Sequence, residues 1–291
     1  RFVIDSMYGS GRGVIRGFLQ GSGCEISEIR GEMNPGFGGV HPEPIRQYLG
    51  ALAGAIGAGM GNYGIATDGD ADRIGAMDER STFVDPHKIM SLALRYLVEK
   101  RGLTGSVVRT VSTTRMIDRL AKKYGLTLHE TPVGFNHIAD YMMKEKVLIG
   151  GEESGGIGFT GHIPEGDGIL MGLLIIEMVA AAGTTLYEMV EDLQQEVGPV
   201  FYDRIDQRLK YPVAKDKMVS ILVNNPPASI GGEDLAEVST MDGVKYIFKD
   251  DSWLLIRPSG TEPVLRVYAE GRTEQMVKEL LEYGKSIADS I

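Results

Sequence analysis

The chain has 291 residues, 43% of them hydrophobic and 24% charged, the balance of a soluble globular protein long enough for two or three domains. A net charge of −10 speaks against nucleic acid as a partner, and the longest apolar run, 169–182, contains Glu177 and is too short to span a bilayer, so no membrane is expected. The one cysteine, Cys24, leaves no intramolecular disulfide to form; this fits a reducing cytoplasm, with a small buried side chain as the expected role of the thiol.

Arg1 is followed at once by a strand pattern, Phe2-Val3-Ile4-Asp5. A chain that opens inside a strand is expected to be a piece of something longer. Gly9-Ser10-Gly11-Arg12-Gly13 and an apolar-periodic stretch over 14–19 then give a strand, glycine turn, helix unit. No window supplies the three glycines of a dinucleotide fingerprint, so the turn reads as a tight βα connection. Residues 27–39 read as a loop with an Asn34-Pro35-Gly36 turn, and Pro42-Glu43-Pro44 as the start of a helix over 45–58.

A strand over 63–66 ends in Asp68-Gly69-Asp70-Ala71-Asp72-Arg73. Three carboxylates at every second position repel one another unless a cation sits between them. All are hard oxygen donors, which suits Mg²⁺, Mn²⁺ or Ca²⁺ and disfavours zinc. Gly69 and Ala71 let the backbone curl, and Arg73 adds a fixed positive fork for a phosphate or a neighbouring carboxylate. An EF-hand would match Asp68, Asp70, Asp72 and Glu79 but needs glycine where Arg73 stands, and its flanks would be helical. A haloacid-dehalogenase-type phosphatase would use Asp68 and Asp70 and leave Asp72 unexplained. The loop falls at the carboxyl end of a strand, where open α/β sheets bind ligands.

A second α/β unit follows. A short strand over 83–85 precedes a helix over 86–100 with Ile89, Leu92, Ala93, Tyr96 and Leu97 on one face. Strand 106–111, helix 115–124 and strand 126–130 come next, then a helix over 138–144 and a buried strand over 147–149. That strand ends in Gly150-Gly151-Glu152-Glu153-Ser154-Gly155-Gly156, whose Glu152 and Ser154 suit vicinal sugar hydroxyls. Asp167 is a good N-cap for a helix over 168–182, and a further helix spans 185–196. Gly198-Pro199 marks a boundary. Beyond it lie a strand over 201–208, a helix over 215–224 and a hairpin of 244–248 with 253–256. Arg257-Pro258-Ser259-Gly260-Thr261-Glu262-Pro263 then combines an Arg fork, two hydroxyls and exposed amides, the chemistry of phosphate capture. Strand 264–269 and helix 274–287 close the chain. His137 and His162 are acid/base candidates of low weight; Trp253, Met171 and Met178 read as core.

Taken together, the Asp68–Arg73, Gly151–Gly156 and Arg257–Pro263 stretches, with Glu130-Thr131-Pro132-Val133-Gly134-Phe135, resemble the phosphohexomutase family, the α-D-phosphoglucomutases and phosphomannomutases. They occur in the family's order, and the resemblance covers essentially the whole chain. It implies two consecutive mixed-sheet α/β domains, 1–78 and 79–197, and a smaller C-terminal α+β domain, 198–291. It further implies Mg²⁺ on Asp68, Asp70 and Asp72 against a phosphoserine, with Arg73 beside it as a catalytic residue. Glu152 and Ser154 would grip the sugar, and Arg257, Ser259, Gly260 and Thr261 the phosphate that is not reacting. The implied substrates are hexose phosphates, glucose phosphate favoured by the Glu-Glu-Ser-Gly-Gly loop, with hexose 1,6-bisphosphate as activator of the full-length enzyme. Two features depart from the family. The Ser-His-Asn-Pro loop of its first domain is not in this sequence, so the chain is expected to be inactive alone. Asn136 stands where many relatives carry a lysine, which leaves the general acid/base unassigned. The alternatives are a non-catalytic sugar-phosphate-binding protein and a metal-dependent hexose-phosphate phosphatase.

Overall fold

In the computed structural model, which describes residues 1–209, 215–258 and 264–290, the chain divides into two units. The first comprises Arg1–Glu130 with Gly134–Glu196, the second Thr131–Val133 with Val197–Ile291.

In the first unit, β1 (Phe2–Asp5) is buried along its whole length and leads through the glycine turn to α1 (Val14–Phe18). Then come β2 (Ile26–Ile29), α2 (Gly50–Gly57), β3 (Tyr63–Thr67), β4 (Ile74–Met77) and β5 (Phe83–Val84). They build a five-stranded sheet in the order β2-β1-β3-β4-β5. β1 is parallel to β2 and β3, whereas β4 is antiparallel to β3 and β5, so the sheet is mixed. Leu49, Leu52, Ala55 and Ile56 of the α2 region pack on Val3, Ala66 and Met77 of the sheet.

The expected helix over 45–58 is shorter here. Ile45 is extended, Arg46–Tyr48 form one 3-10 turn, and the α-helix begins only at Gly50. The stretch 27–39 is not all loop, because residues 27–29 belong to β2, which lies on the sheet edge with half-buried side chains. Cys24 is exposed rather than buried, since it sits between turn residues ahead of that edge strand.

The same unit continues with α3 (Pro86–Glu99), β6 (Ser106–Thr110), α4 (Met116–Tyr124), β7 (Leu128–Thr131), α5 (Phe135–Lys144), β8 (Val147–Gly151), β9 (Ile157–Phe159), α6 (Gly168–Ala182) and α7 (Leu186–Val197). Asp85 caps α3 by accepting from Lys88 N–H, and Pro86 occupies the first turn, where no amide hydrogen is missed. A four-stranded sheet runs β7-β6-β8-β9, with β8 parallel to β6 and antiparallel to β9. α6 is apolar on nearly every face because it packs against β3 and β4 of one sheet, β9 of the other, and helices α1 and α3. Its Met171 and Met178 are core residues, and Asp167 Oδ1 caps it by accepting from Leu170 N–H at 2.8 Å. Among the described residues no single helix is long and apolar enough to cross a membrane.

The second unit adds β10 (Phe201–Arg208), α8 (Lys215–Asn224), β11 (Ser229–Ile230), β12 (Glu233–Ser239), β13 (Val244–Phe248), β14 (Trp253–Pro258), β15 (Val264–Gly271) and α9 (Glu274–Ser290). Its six strands form an antiparallel sheet in the order β10-β15-β14-β13-β12-β11. Met276, Val277, Leu280 and Leu281 of α9 and Met218 and Leu222 of α8 close the core over Tyr246, Leu254, Ile256 and Val267. Trp253 is fully buried, its Nε1–H donating to Glu270 Oε1 at 3.1 Å. The fold is therefore α/β with two mixed sheets, followed by a smaller α+β part.

Candidate metal and sugar-phosphate site

β3 is buried on both faces and stops at Thr67, and the chain must then turn to enter the antiparallel β4. Asp68 begins that turn fully buried, while Asp70 and Asp72 face outward. Ala71 takes a left-handed conformation, φ 66°, which closes the curl. One oxygen from each of Asp68, Asp70 and Asp72 lies within 4.8 Å of the others. Flanking strands in place of helices exclude an EF-hand.

Arg73 fixes the inner wall. Its backbone N–H donates to Asp68 Oδ1 at 3.1 Å and its Nε to Oδ2 at 2.6 Å, so both oxygens of the buried carboxylate are held. Its Nη1 reaches Glu43 Oε1 at 3.3 Å. Glu43 escapes a sequence reading because Pro42-Glu43-Pro44 looks like a helix start; the prolines instead lead an extended segment past the loop, and Pro42 O accepts from Gly69 N–H at 3.2 Å.

The donor set fits a hard divalent cation. Burial, and then the adjoining Asp68 and Asp70 carboxylates, push the Asp72 carboxyl up to about 7 against the pull of Arg73. Its Oδ1 is buried without a hydrogen-bond partner, with Arg73 Nε 3.6 Å away. A cation among these oxygens would satisfy that atom and relieve the repulsion. All three carboxylates could serve as ligands.

The second loop lies directly against the first. Gly150 and Gly151 belong to β8, so the turn proper is 152–156, between β8 and β9. Glu152 N–H donates to Gly156 O at 3.0 Å and Gly155 N–H to Glu152 O at 3.2 Å, which closes the turn on itself. Gly155 has φ 105°, and a Cβ there would stand 2.6 Å from Ile74 O. That close approach lets Ile74 N–H donate to Gly155 O at 3.1 Å, and Arg73 forms an antiparallel bridge with Gly156. The residues that follow the three aspartates are thus stitched, backbone to backbone, to the loop of Glu152 and Ser154. α6 starts at the same place, Gly168 N–H donating to Ala71 O at 3.0 Å.

Glu152 Oε1 accepts from Gly134 N–H at 2.8 Å, which ties the start of α5 to this loop. α5 begins at Phe135, three residues before the expected start, and Asn136 is exposed in its first turn. His162 pairs with the helix cap Asp167 at 2.9 Å, and the backbone N–H of His137 donates to Gly134 O.

Arg257 lies near the end of β14 in the second unit, where its Nε meets Asp242 Oδ2 at 2.6 Å. Asp242 is buried, so this guanidinium is oriented at one edge. Ser259, Gly260 and Thr261 lie outside the described residues.

Three family models match the chain in succession: the phosphoglucomutase/phosphomannomutase alpha/beta/alpha domain II over 1–81, the corresponding domain III over 85–197, and the family's C-terminal domain over 216–283. A phosphoglucomutase/phosphomannomutase of Thermococcus kodakarensis is 30% identical over 97% of this chain and 59% of its own length. A phosphoglucosamine mutase of Methanocaldococcus jannaschii is 34% identical over 90% of this chain and 57% of its own length. A crystal structure of a candidate phosphomannomutase from Thermus thermophilus superposes with a TM-score of 0.84 at 34% identity, covering 99% of this chain and 60% of that one. The chain spans under two thirds of the length of these relatives.

Proposed function

We propose, from the premise that the chain belongs to the phosphoglucomutase/phosphomannomutase family, that it carries the metal, sugar and distal-phosphate loops of a phosphohexomutase. The whole enzyme would interconvert hexose 1-phosphates and hexose 6-phosphates through a hexose 1,6-bisphosphate. One observation carries this: Ile74 and Arg73, directly after the three aspartates, are bridged to Gly155 and Gly156 of the Glu152–Ser154 loop. A carboxylate cluster alone serves many phosphoryl reactions. A loop of sugar-binding character fixed beside it points to the phosphate ester of a polyol.

Bound at Asp68, Asp70 and Asp72, Mg²⁺ would neutralise charge on the transferring phosphoryl group. Arg73, held by Asp68 and Glu43, fixes the orientation of the buried Asp68 carboxylate. Glu152, anchored to Gly134 N–H, would accept from a sugar hydroxyl, and Ser154 offers a hydroxyl that donates or accepts. Arg257, with Ser259, Gly260 and Thr261, would hold the phosphate that is not reacting. The domain division that goes with this function is 1–78, 79–197 and 198–291.

The phosphoryl carrier is proposed to be a serine outside these 291 residues. Alone, the chain would bind hexose phosphates without turning them over, since positioning does not replace a nucleophile. A coupled assay on glucose 1-phosphate with catalytic glucose 1,6-bisphosphate tests this. Turnover at a mutase rate by the purified chain would mean that the nucleophile lies within it. Glucose is the proposed sugar; mannose 1-phosphate and glucosamine 1-phosphate are the competing arms, the last because curated relatives are named phosphoglucosamine mutases.

A further inference from the structure

The turn after β1 is built against the metal loop and carries a cation that the function above leaves unused. Ser10 N–H donates to Gly69 O at 2.9 Å. A Cβ on Gly9 would run into Asp68 O, and one on Gly11 would stand 3.0 Å from Thr67 Oγ1 and 3.2 Å from Ala71 Cβ. The Gly9–Gly11 backbone therefore lies in contact with Asp68, Gly69 and Ala71.

This turn is held in an unfavourable conformation. Met7 and Tyr8, consecutive and neither of them glycine, have φ of 42° and 59°. Such backbone persists where the surroundings over-determine it, and it clusters at ligand sites. The restraint is visible. Asp5, fully buried at the end of β1, accepts from Met7 N–H at 3.1 Å and pairs with both Nε and Nη2 of Arg30. Arg30 O in turn accepts from Tyr8 N–H at 2.8 Å.

Arg12 ends the turn. Its Nη1 donates to the carbonyls of Tyr8 and Gly9, and its Nη2 lies 3.7 Å from the Met33 thioether. Among the described residues it has no carboxylate partner. Arg30, Arg73, Arg95, Arg101 and Arg109 each have one. In a chain of net charge −10, an arginine bound to uncharged groups alone and half-exposed, hydrogen-bonded to the carbonyl of the Gly9 whose backbone packs on Asp68 and Gly69, carries a charge that no carboxylate compensates.

We propose that Arg12 is a phosphate-binding residue that contacts the phosphate monoester presented to the Asp68–Asp72 cation. The two Nη1 bonds to Tyr8 and Gly9 fix the guanidinium plane and leave Nε–H and an Nη2–H for phosphate oxygens, the paired geometry in which arginine exceeds lysine. This assignment rests on the phosphohexomutase function proposed above.

The test is calorimetric titration of the purified protein, wild type, Arg12→Gln and Arg12→Lys, with glucose 1,6-bisphosphate in saturating Mg²⁺, and with Mg²⁺ alone. Arg12→Gln should weaken bisphosphate binding about tenfold, Arg12→Lys should recover only part of it, and Mg²⁺ affinity should stay at the wild-type value in both. If Arg12→Gln binds bisphosphate as tightly as wild type, Arg12 does not touch the phosphate. If Mg²⁺ affinity falls in parallel, Arg12 only shapes the turn, and the proposal fails. Absence of bisphosphate binding by the wild type itself would instead overturn the phosphohexomutase function on which it rests.

Discussion

Replacing Gly155 by alanine tests the stitch between the two loops. The new Cβ would stand 2.6 Å from Ile74 O and 3.1 Å from Ile74 N, both backbone atoms that cannot rotate away, and φ is 105°. Holding alanine in such a conformation costs ~1–3 kcal/mol. Separating the strands to relieve the clash loses the Ile74–Gly155 hydrogen bond and the Arg73–Gly156 bridge, at ~1 kcal/mol each. The sum is roughly 3–5 kcal/mol, which for a unit of this size lowers Tm by about 6–20 °C. Gly59→Ala is the control: φ is 77°, but no atom lies within 4 Å of its Cβ, so only the conformational cost applies. That is ~1–2 kcal/mol, or about 2–8 °C. Thermal melts followed by circular dichroism measure both. Equal losses in the two variants would mean that the loops are not held together by this approach.

Asp118→Asn should destabilise the first unit by about 3 kcal/mol, because Asp118 accepts two bonds from the buried Arg109 and one from Arg115; urea melts read the loss. Burial works to raise the Asp118 carboxyl, but Arg109 and Arg115 outweigh it and hold it below its usual value. A folded value below the unfolded one gives stability that is present above about pH 4 and lost as pH falls through the folded value, so the variant's stability should vary less with pH in that acid range. Arg257→Ala should weaken glucose 1,6-bisphosphate binding about tenfold or more and also lower the melting temperature, because it removes the guanidinium paired with the buried Asp242; Arg257→Lys should restore the temperature more than the affinity, and calorimetry beside a melt separates the two. Cys24, being exposed, should react with a thiol reagent in the native protein at a rate close to that in denaturant; strong protection in the native state would place it in the core after all.

Elements with one dominant pattern were legible from residues alone. α6 carries fifteen residues with an Asp cap, and β10 alternates over its second half. The short strands β4 and β9 were not, since four and three residues give no period to measure. β2 hides for another reason: Ile26-Ser27-Glu28-Ile29 sits on an edge with polar side chains that have local partners, Glu28 accepting from Ser6 Oγ and Gly13 N–H. The three aspartates announced their cluster because charge repulsion at that spacing demands an explanation. The bridge from Ile74 to Gly155 left no trace of that kind. It is made by main-chain atoms of residues 81 positions apart, and a glycine that permits close approach looks the same in sequence as one that serves a turn. Arg12 was hidden likewise, since only the fold shows which arginines lack a carboxylate.

The central claim is that Asp68, Asp70 and Asp72 form a divalent cation site whose occupancy governs hexose phosphate binding at the adjoining loop. Titration of glucose 1-phosphate into the protein with and without Mg²⁺, repeated on Asp70→Asn, addresses it most directly. Affinity for the ester should rise at least several-fold with Mg²⁺ in the wild type and respond little in Asp70→Asn. Equal Mg²⁺ binding by the two proteins, or an ester affinity indifferent to Mg²⁺ in the wild type, would contradict the account.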